Sequence, residues 1–226
     1  MKKILLLMVF LCSTIFAEVE DWDNYQWPRT YFASIGFSVI ANRGDFFDHT
    51  AKIKTDKVPE HTISFPITKV LVSPDYNIGV NIREFTLAGS FQYWSITGTI
   101  GNDYPENLNE QKMRYWRFGA EFTYNFFYPD VFQVGVGLGY SFTSIKTNKS
   151  AFDGKDYSDA EVMGSGIALV TNMKYFITEH FGLCPSLRIY ENWFKAANTK
   201  ATGTQDFNSY LWQTYIAVSI NAIVQF

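Results

Sequence analysis

Apolar and polar residues alternate along most of this chain with a period of two, the spacing of a β-strand whose two faces meet different surroundings. The stretch 113–127 shows it most clearly: Trp116, Phe118, Ala120, Phe122, Tyr124 and Phe126 interleave with Tyr115, Arg117, Gly119, Glu121, Thr123 and Asn125. Over 131–146, Phe132, Val134, Val136, Leu138, Tyr140 and Phe142 oppose Gln133, Gly135, Gly137, Gly139, Ser141 and Thr143. In 209–226 the series Tyr210, Trp212, Thr214, Ile216, Val218, Ile220, Ala222, Val224, Phe226 is broken only by Thr214. That run exceeds a typical soluble strand and is long enough to cross a bilayer at a tilt. Aromatic residues stand at both its ends, where membrane interfaces favour them.

The same reading places strands at 31–42, 61–72, 76–97, 161–177 and 183–195. The 61–72 strand is the least regular, because Lys69 shares the face of Ile63, Phe65, Ile67 and Leu71. Ser73-Pro74-Asp75 reads as a turn. Within 76–97 the apolar phase changes from Ile78, Val80 and Ile82 to Phe85, Leu87 and Phe91. One extra residue at Arg83-Glu84 reconciles the two phases, which predicts a bulge; an additional turn is the alternative. Long polar segments (43–60, 98–112, 148–159, 196–208) alternate with short turns (73–75, 128–130, 178–182). The predicted fold class is all-β: a transmembrane antiparallel up-and-down β-barrel of eight strands, an even number that puts both termini at one end. A soluble sandwich has no need of an apolar outer face on nearly every strand.

Composition agrees. Only 18% of the 226 residues are charged while 18% are aromatic, and the mean hydropathy of −0.09 excludes a bundle of apolar helices. A barrel reconciles these values, since half of each strand can be polar. Residues 1–17 read as a signal peptide, with Lys2 and Lys3, an apolar run from Ile4 to Leu11, and the small Ala17 at the cut. The barrel domain is then 18–226, opening on an acidic and aromatic segment, Glu18 to Arg29, placed at the periplasmic rim. Loss of the leader removes Cys12 and leaves Cys184 without a disulfide partner in the chain. It also leaves 17 basic against 22 acidic side chains, a net charge of −5, which excludes nucleic acid as a partner.

Three of these features together, the leader, the alternating strands and the closing strand ending in Phe226, resemble the small eight-stranded outer-membrane barrels, the class that contains OmpX and the membrane domain of OmpA. The resemblance covers the mature chain as topology. As sequence motif it covers only the leader and the closing strand. It implies an integral outer-membrane protein with both termini periplasmic and the long loops outside. It also implies Phe226 as a signal read by the barrel-assembly machinery, and outer-membrane lipids as surroundings. No segment is expected for a peptidoglycan-binding domain of the kind full-length OmpA carries.

Candidate chemistry lies inside the barrel. Arg117, Glu121, Lys174 and Arg188 all fall on inward phases. Glu121 and Arg188 each lie some six residues from a periplasmic turn, hence at similar heights. An eight-stranded barrel is just wide enough for side chains to fill it, and buried charges must pair. A lumen ion-pair network is therefore expected, with Gly135, Gly137 and Gly139 leaving room for it. The alternatives are a narrow channel for small solutes and a lipid-modifying enzyme at the rim using His61 and Ser64, with His49 nearby. A serine nucleophile needs a base within hydrogen-bond reach, and no acid stands convincingly beside the histidine, so no catalytic residue is assigned. Asp153, Asp156 and Asp159 match no standard calcium loop and read as a solvated loop. Arg43-Gly44-Asp45 is an integrin-type tripeptide of a length that recurs by chance. No zinc spacing and no Gly-rich phosphate loop is present, so neither metal nor cofactor is expected. The long loops remain as a surface for an extracellular ligand.

Overall fold

Ten strands run through the described part of the chain: β1 (Thr30–Gly44), β2 (Thr50–Thr55), β3 (Val58–Ser64), β4 (Val70–Ile82), β5 (Phe85–Gly98), β6 (Gln111–Tyr128), β7 (Phe132–Phe152), β8 (Lys155–Phe176), β9 (Phe181–Thr199) and β10 (Gly203–Gln225). The structure, a computed structural model, describes residues 30–44, 50–55, 58–64, 70–98, 111–128, 132–152, 155–199 and 203–226. The leader and the 18–29 rim segment lie outside them. Among the described residues there is no helix.

Eight strands close into an antiparallel barrel in the order β1-β10-β9-β8-β7-β6-β5-β4, while β2 and β3 form a separate hairpin. The seam is closed at its end by two backbone bonds, Tyr31 N to Phe226 O at 3.0 Å and Phe226 N to Tyr31 O at 2.9 Å. Cross-strand pairs followed around the ring run Ala33, Ile78, Gly89, Ala120, Tyr140, Ile167, Glu191, Thr214, Arg43. The circuit returns to β1 ten residues further on, from 33 to 43. Such a stagger requires the strands to tilt by about 40°.

Alternation sorts the side chains as the periodicity predicts. Ile35, Phe37, Ile78, Phe118, Leu138, Val218 and Ile220 point outward and are exposed, while Ser38, Asp75, Gln92, Arg117, Asn192 and Gln213 point inward and are buried. On β6 the outward apolar series runs from Trp116 to Phe126. The ten residue steps between them cover about 33 Å along the strand, or about 25 Å of height after tilting, the width of a membrane-facing apolar band.

Three sequence expectations need correction. The 61–72 strand does not exist as one element: Val58–Ser64 pairs with Thr50–Thr55 outside the barrel, and the barrel strand begins at Val70. Ser73-Pro74-Asp75 is no turn but the interior of β4. A proline is tolerated there because the β4–β5 ladder begins only at Asp75↔Gln92. One step beyond, where position 74 would oppose Tyr93, the Ser73 hydroxyl donates to the Tyr93 carbonyl at 3.2 Å. The bulge at Arg83-Glu84 is instead a two-residue turn joining β4 to β5, with Arg83 at φ 53°. The lost turn and the gained one cancel, so the barrel count stays at eight. The polar segments 148–159 and 196–208 also carry more strand than expected. β7 and β8 continue their ladder to Phe152↔Lys155, and β9 and β10 to Thr199↔Gly203.

Candidate functional site in the barrel lumen

Arg188 on β9 is the hub of the interior. Its Nε and Nη2 donate to the two carboxylate oxygens of Glu121 on β6, at 2.8 and 3.2 Å. Its Nη1 donates to Asp75 Oδ2 on β4 at 3.1 Å and to Ser186 Oγ at 2.8 Å. Nη2 also reaches Asn77 Oδ1 at 2.7 Å. All are buried. Asp75 Oδ2 further accepts from Asn221 Nδ2 at 2.8 Å and Asn77 Nδ2 at 3.2 Å, so one cation and two carboxylates from three strands share a single shell of amide and hydroxyl donors. Gly139 on β7 makes room for this: a Cβ there would stand 3.3 Å from Glu121 Cγ.

Arg117 forms a second layer toward the long-loop end. Its Nε donates to Gln92 Oε1 at 3.1 Å and its Nη2 to Ser90 Oγ at 3.1 Å. The guanidinium carbon lies 4.4 Å from the Tyr190 ring centroid, a cation–π contact in a desolvated setting. Tyr190 stacks on Tyr215 at 4.4 Å, and the Tyr215 hydroxyl donates to Gln92 Oε1 at 2.7 Å. Lys174 stands apart, near the turn end. Its Nζ donates to Asn81 Oδ1 at 2.6 Å and Thr86 Oγ1 at 3.0 Å, and lies 4.7 Å from the Phe32 ring centroid.

Apolar layers cover both ends of this polar core. Trp94, Met113, Ile145, Val162, Phe194 and Leu211 pack together at the long-loop end. Phe32, Phe176, Cys184 and Ile223 pack at the turn end. The void between the Arg188 shell and Lys174 has a volume of about 20 Å³, room for about one water molecule.

Of the four charged residues read from the sequence, the structure brings Glu121 and Arg188 into contact. Arg117 lies in an adjoining layer, and Lys174 lies apart with neutral partners. Asp75 was missed because Pro74 before it read as a turn; its phase with Ser73, Asn77 and Asn81 was the available signal. His61 and Ser64 fall on β3, outside the barrel, with their side chains outside the description. His49, Asp45 and Asp153 lie outside the described residues, as do the side chains of Asp156 and Asp159. Among the described residues, no group of three or more His, Cys, Asp or Glu side chains is placed to hold a metal ion.

No protein-family model matches the sequence, and no curated protein matches it either. Solved structures do resemble the fold. The outer membrane protein OprG from Pseudomonas aeruginosa aligns at 12% identity and a TM-score of 0.56, over 87% of this chain and 95% of that one. Neisserial surface protein A, NspA, aligns at 14% identity and a TM-score of 0.47, over 88% of this chain and all of that one. Ail of Yersinia pestis, in complex with the heparin analogue sucrose octasulfate, aligns at 10% identity and a TM-score of 0.49, again over 88% of this chain. With its closed ring of eight antiparallel strands, the chain has the fold of the small eight-stranded outer-membrane β-barrels.

Proposed function

We propose that this protein is an integral outer-membrane barrel whose lumen is a plug, and whose working surface is its long-loop end. One observation carries the reading: a hydrogen-bonded ionic core, Arg188 with Glu121 and Asp75, lies between two apolar layers. Moving an ion through that stack would require breaking buried charge pairs and wetting both layers, each costly. The apolar outer band supports residence in a bilayer. The termini share an end with the short connections β4–β5 and β8–β9, which supports a periplasmic placement for both. The role is then structural, or binding of an extracellular ligand by the long loops and the β2–β3 hairpin. Neither the rim-enzyme reading nor the channel reading has comparable support. The test is a planar-bilayer recording of the refolded protein, with fractionation of the cell envelope beside it. No steady conductance and recovery in the outer-membrane fraction are expected. Large stable channels would overturn the plug, and recovery in the soluble periplasm would overturn the barrel's location.

A further inference from the structure

Arg114 on β6 and Lys146 on β7 are directly opposed across the ladder, and both point outward and are exposed. Neither makes a hydrogen bond or ion pair within the described structure. Like charges in that position repel and destabilise a sheet. Lys112 adds a third cation on the same face one step further out. The neighbouring carboxylate, Glu161 opposite Lys146 on β8, is engaged by the Ser144 hydroxyl, which donates to its Oε1 at 2.6 Å. The cations sit immediately above the apolar band, next to Trp116, at the height where headgroups lie. Below them the outer surface is hollowed. Around Ala120 on β6, a groove of about 400 Å³ is walled by Leu87, Phe122, Leu138, Tyr140 and Ile167. Ala120 and Tyr140 are each six residues down their strands from Arg114 and Lys146, about 20 Å along the strand, within the reach of an acyl chain.

We infer that Arg114 and Lys146 form a binding site for the phosphate group of a membrane lipid whose acyl chain lies in the Ala120 groove. The inference rests on the proposed placement of the barrel in a bilayer. Charge decides the occupant: two opposed cations, Arg114 and Lys146, against the single carboxylate of Glu161 leave an excess of positive charge at headgroup height, which selects an anionic lipid over a zwitterionic one. A phosphate between the Arg114 guanidinium and the Lys146 ammonium converts their repulsion into two charge-assisted contacts.

The test uses the full barrel refolded in phosphatidylcholine nanodiscs, with bisphosphorylated lipid A as probe and retained lipid read by mass spectrometry. Heat-modified gel mobility reports folding separately, so failure of the barrel reading is visible apart from failure of the site. Wild-type protein should retain bisphosphorylated lipid A, and Arg114→Gln with Lys146→Gln should weaken this about thirtyfold. Lipid A stripped of phosphate should not distinguish the two proteins. Glu161→Gln, which removes the carboxylate opposite Lys146, should tighten binding, and it keeps the site testable should the double variant fail to fold. Equal retention by wild type and the double variant overturns the inference. Retention unaffected by phosphate removal does the same. Competition by millimolar inorganic phosphate as effective as by the lipid would mean a soluble-anion site and overturn the lipid assignment.

Discussion

Arg188 holds Glu121 with two nitrogens, Nε at 2.8 Å and Nη2 at 3.2 Å, from strands on different sides of the lumen. Bidentate pairing of this kind is strong and geometrically demanding. Glu121→Gln removes one charge and leaves the guanidinium half matched. The folded barrel should lose about 3 kcal/mol, the lower end of the cost of breaking a buried pair, because Asp75 keeps part of the charge balanced. Urea unfolding in detergent micelles measures it. A loss of a few tenths of a kcal/mol would mean the lumen is wet.

Asp75 changes what a double variant should show. Glu121→Gln with Arg188→Met leaves Asp75 without its cation, so the saving over the summed single costs should be modest. Adding Asp75→Asn removes the stranded carboxylate. The triple variant should therefore be more stable than the double, a coupling of about 0.5–3 kcal/mol expected of residues in one network. A triple variant less stable than the double would show that Asp75 acts independently of Arg188.

The two arginines should also differ. Arg188→Met strands two carboxylates, whereas Arg117 bonds to neutral Gln92 and Ser90 and stacks on Tyr190. Replacing a buried charge by an apolar side chain of similar length is often nearly neutral when no opposite charge is left behind. Arg117→Met should cost less than Arg188→Met by about 2 kcal/mol in the same unfolding assay. Equal costs would indicate that Arg117 shares the ionic core.

How much of this was legible follows from the local chemistry of each strand. β6 and β7 were readable because an unbroken apolar series faces lipid on every second residue. β4 obeys the same rule, with Val70, Val72, Tyr76, Ile78, Val80 and Ile82 outward, yet Ser-Pro-Asp hid it. Proline with two turn-forming neighbours outweighs periodicity in a sequence reading, while in the fold the Ser73 hydroxyl donates to the Tyr93 carbonyl in place of the missing amide. Pro185 leaves its strand legible, because only Ser186 beside it is a turn former and Leu183, Leu187 and Ile189 sustain the alternation. It too falls where a ladder is interrupted, between the pairs Asn172↔Ser186 and Tyr175↔Leu183. The Glu121–Arg188 contact could be placed from register alone. The Arg117–Tyr190 contact could not, since it depends on rotamers across a filled lumen.

The turn at Arg83 offers a stabilising change. At φ 53° a side chain crowds the backbone, which costs an L-residue about 1–2 kcal/mol and glycine much less. The Arg83 side chain is exposed, so nothing buried is lost on removing it. Arg83→Gly should raise stability by about 0.5–1 kcal/mol after the entropy cost of glycine in the unfolded chain. Arg83→Val should lower it. Thermal unfolding of the two variants side by side checks the sign.

Phe226 combines two roles that experiment can separate. Its backbone closes the seam with Tyr31 through bonds of 2.9 and 3.0 Å, while its ring stacks on Tyr31 at 6.5 Å and remains 67% exposed. Phe226→Ala keeps both backbone bonds and sacrifices an exposed ring, so refolding into micelles should be nearly unchanged, within about 0.5–1 kcal/mol. Deletion of Phe226 removes the backbone bonds as well and should cost about 1–3 kcal/mol in micelles. In cells the order of effects should differ. If the ring is what the barrel-assembly machinery reads, Phe226→Ala should lower the heat-modifiable fraction in the outer membrane nearly as much as deletion does. A deletion in the polar 99–110 segment should leave that fraction unchanged. Normal assembly of Phe226→Ala alongside poor assembly of the deletion would assign the residue to seam closure alone.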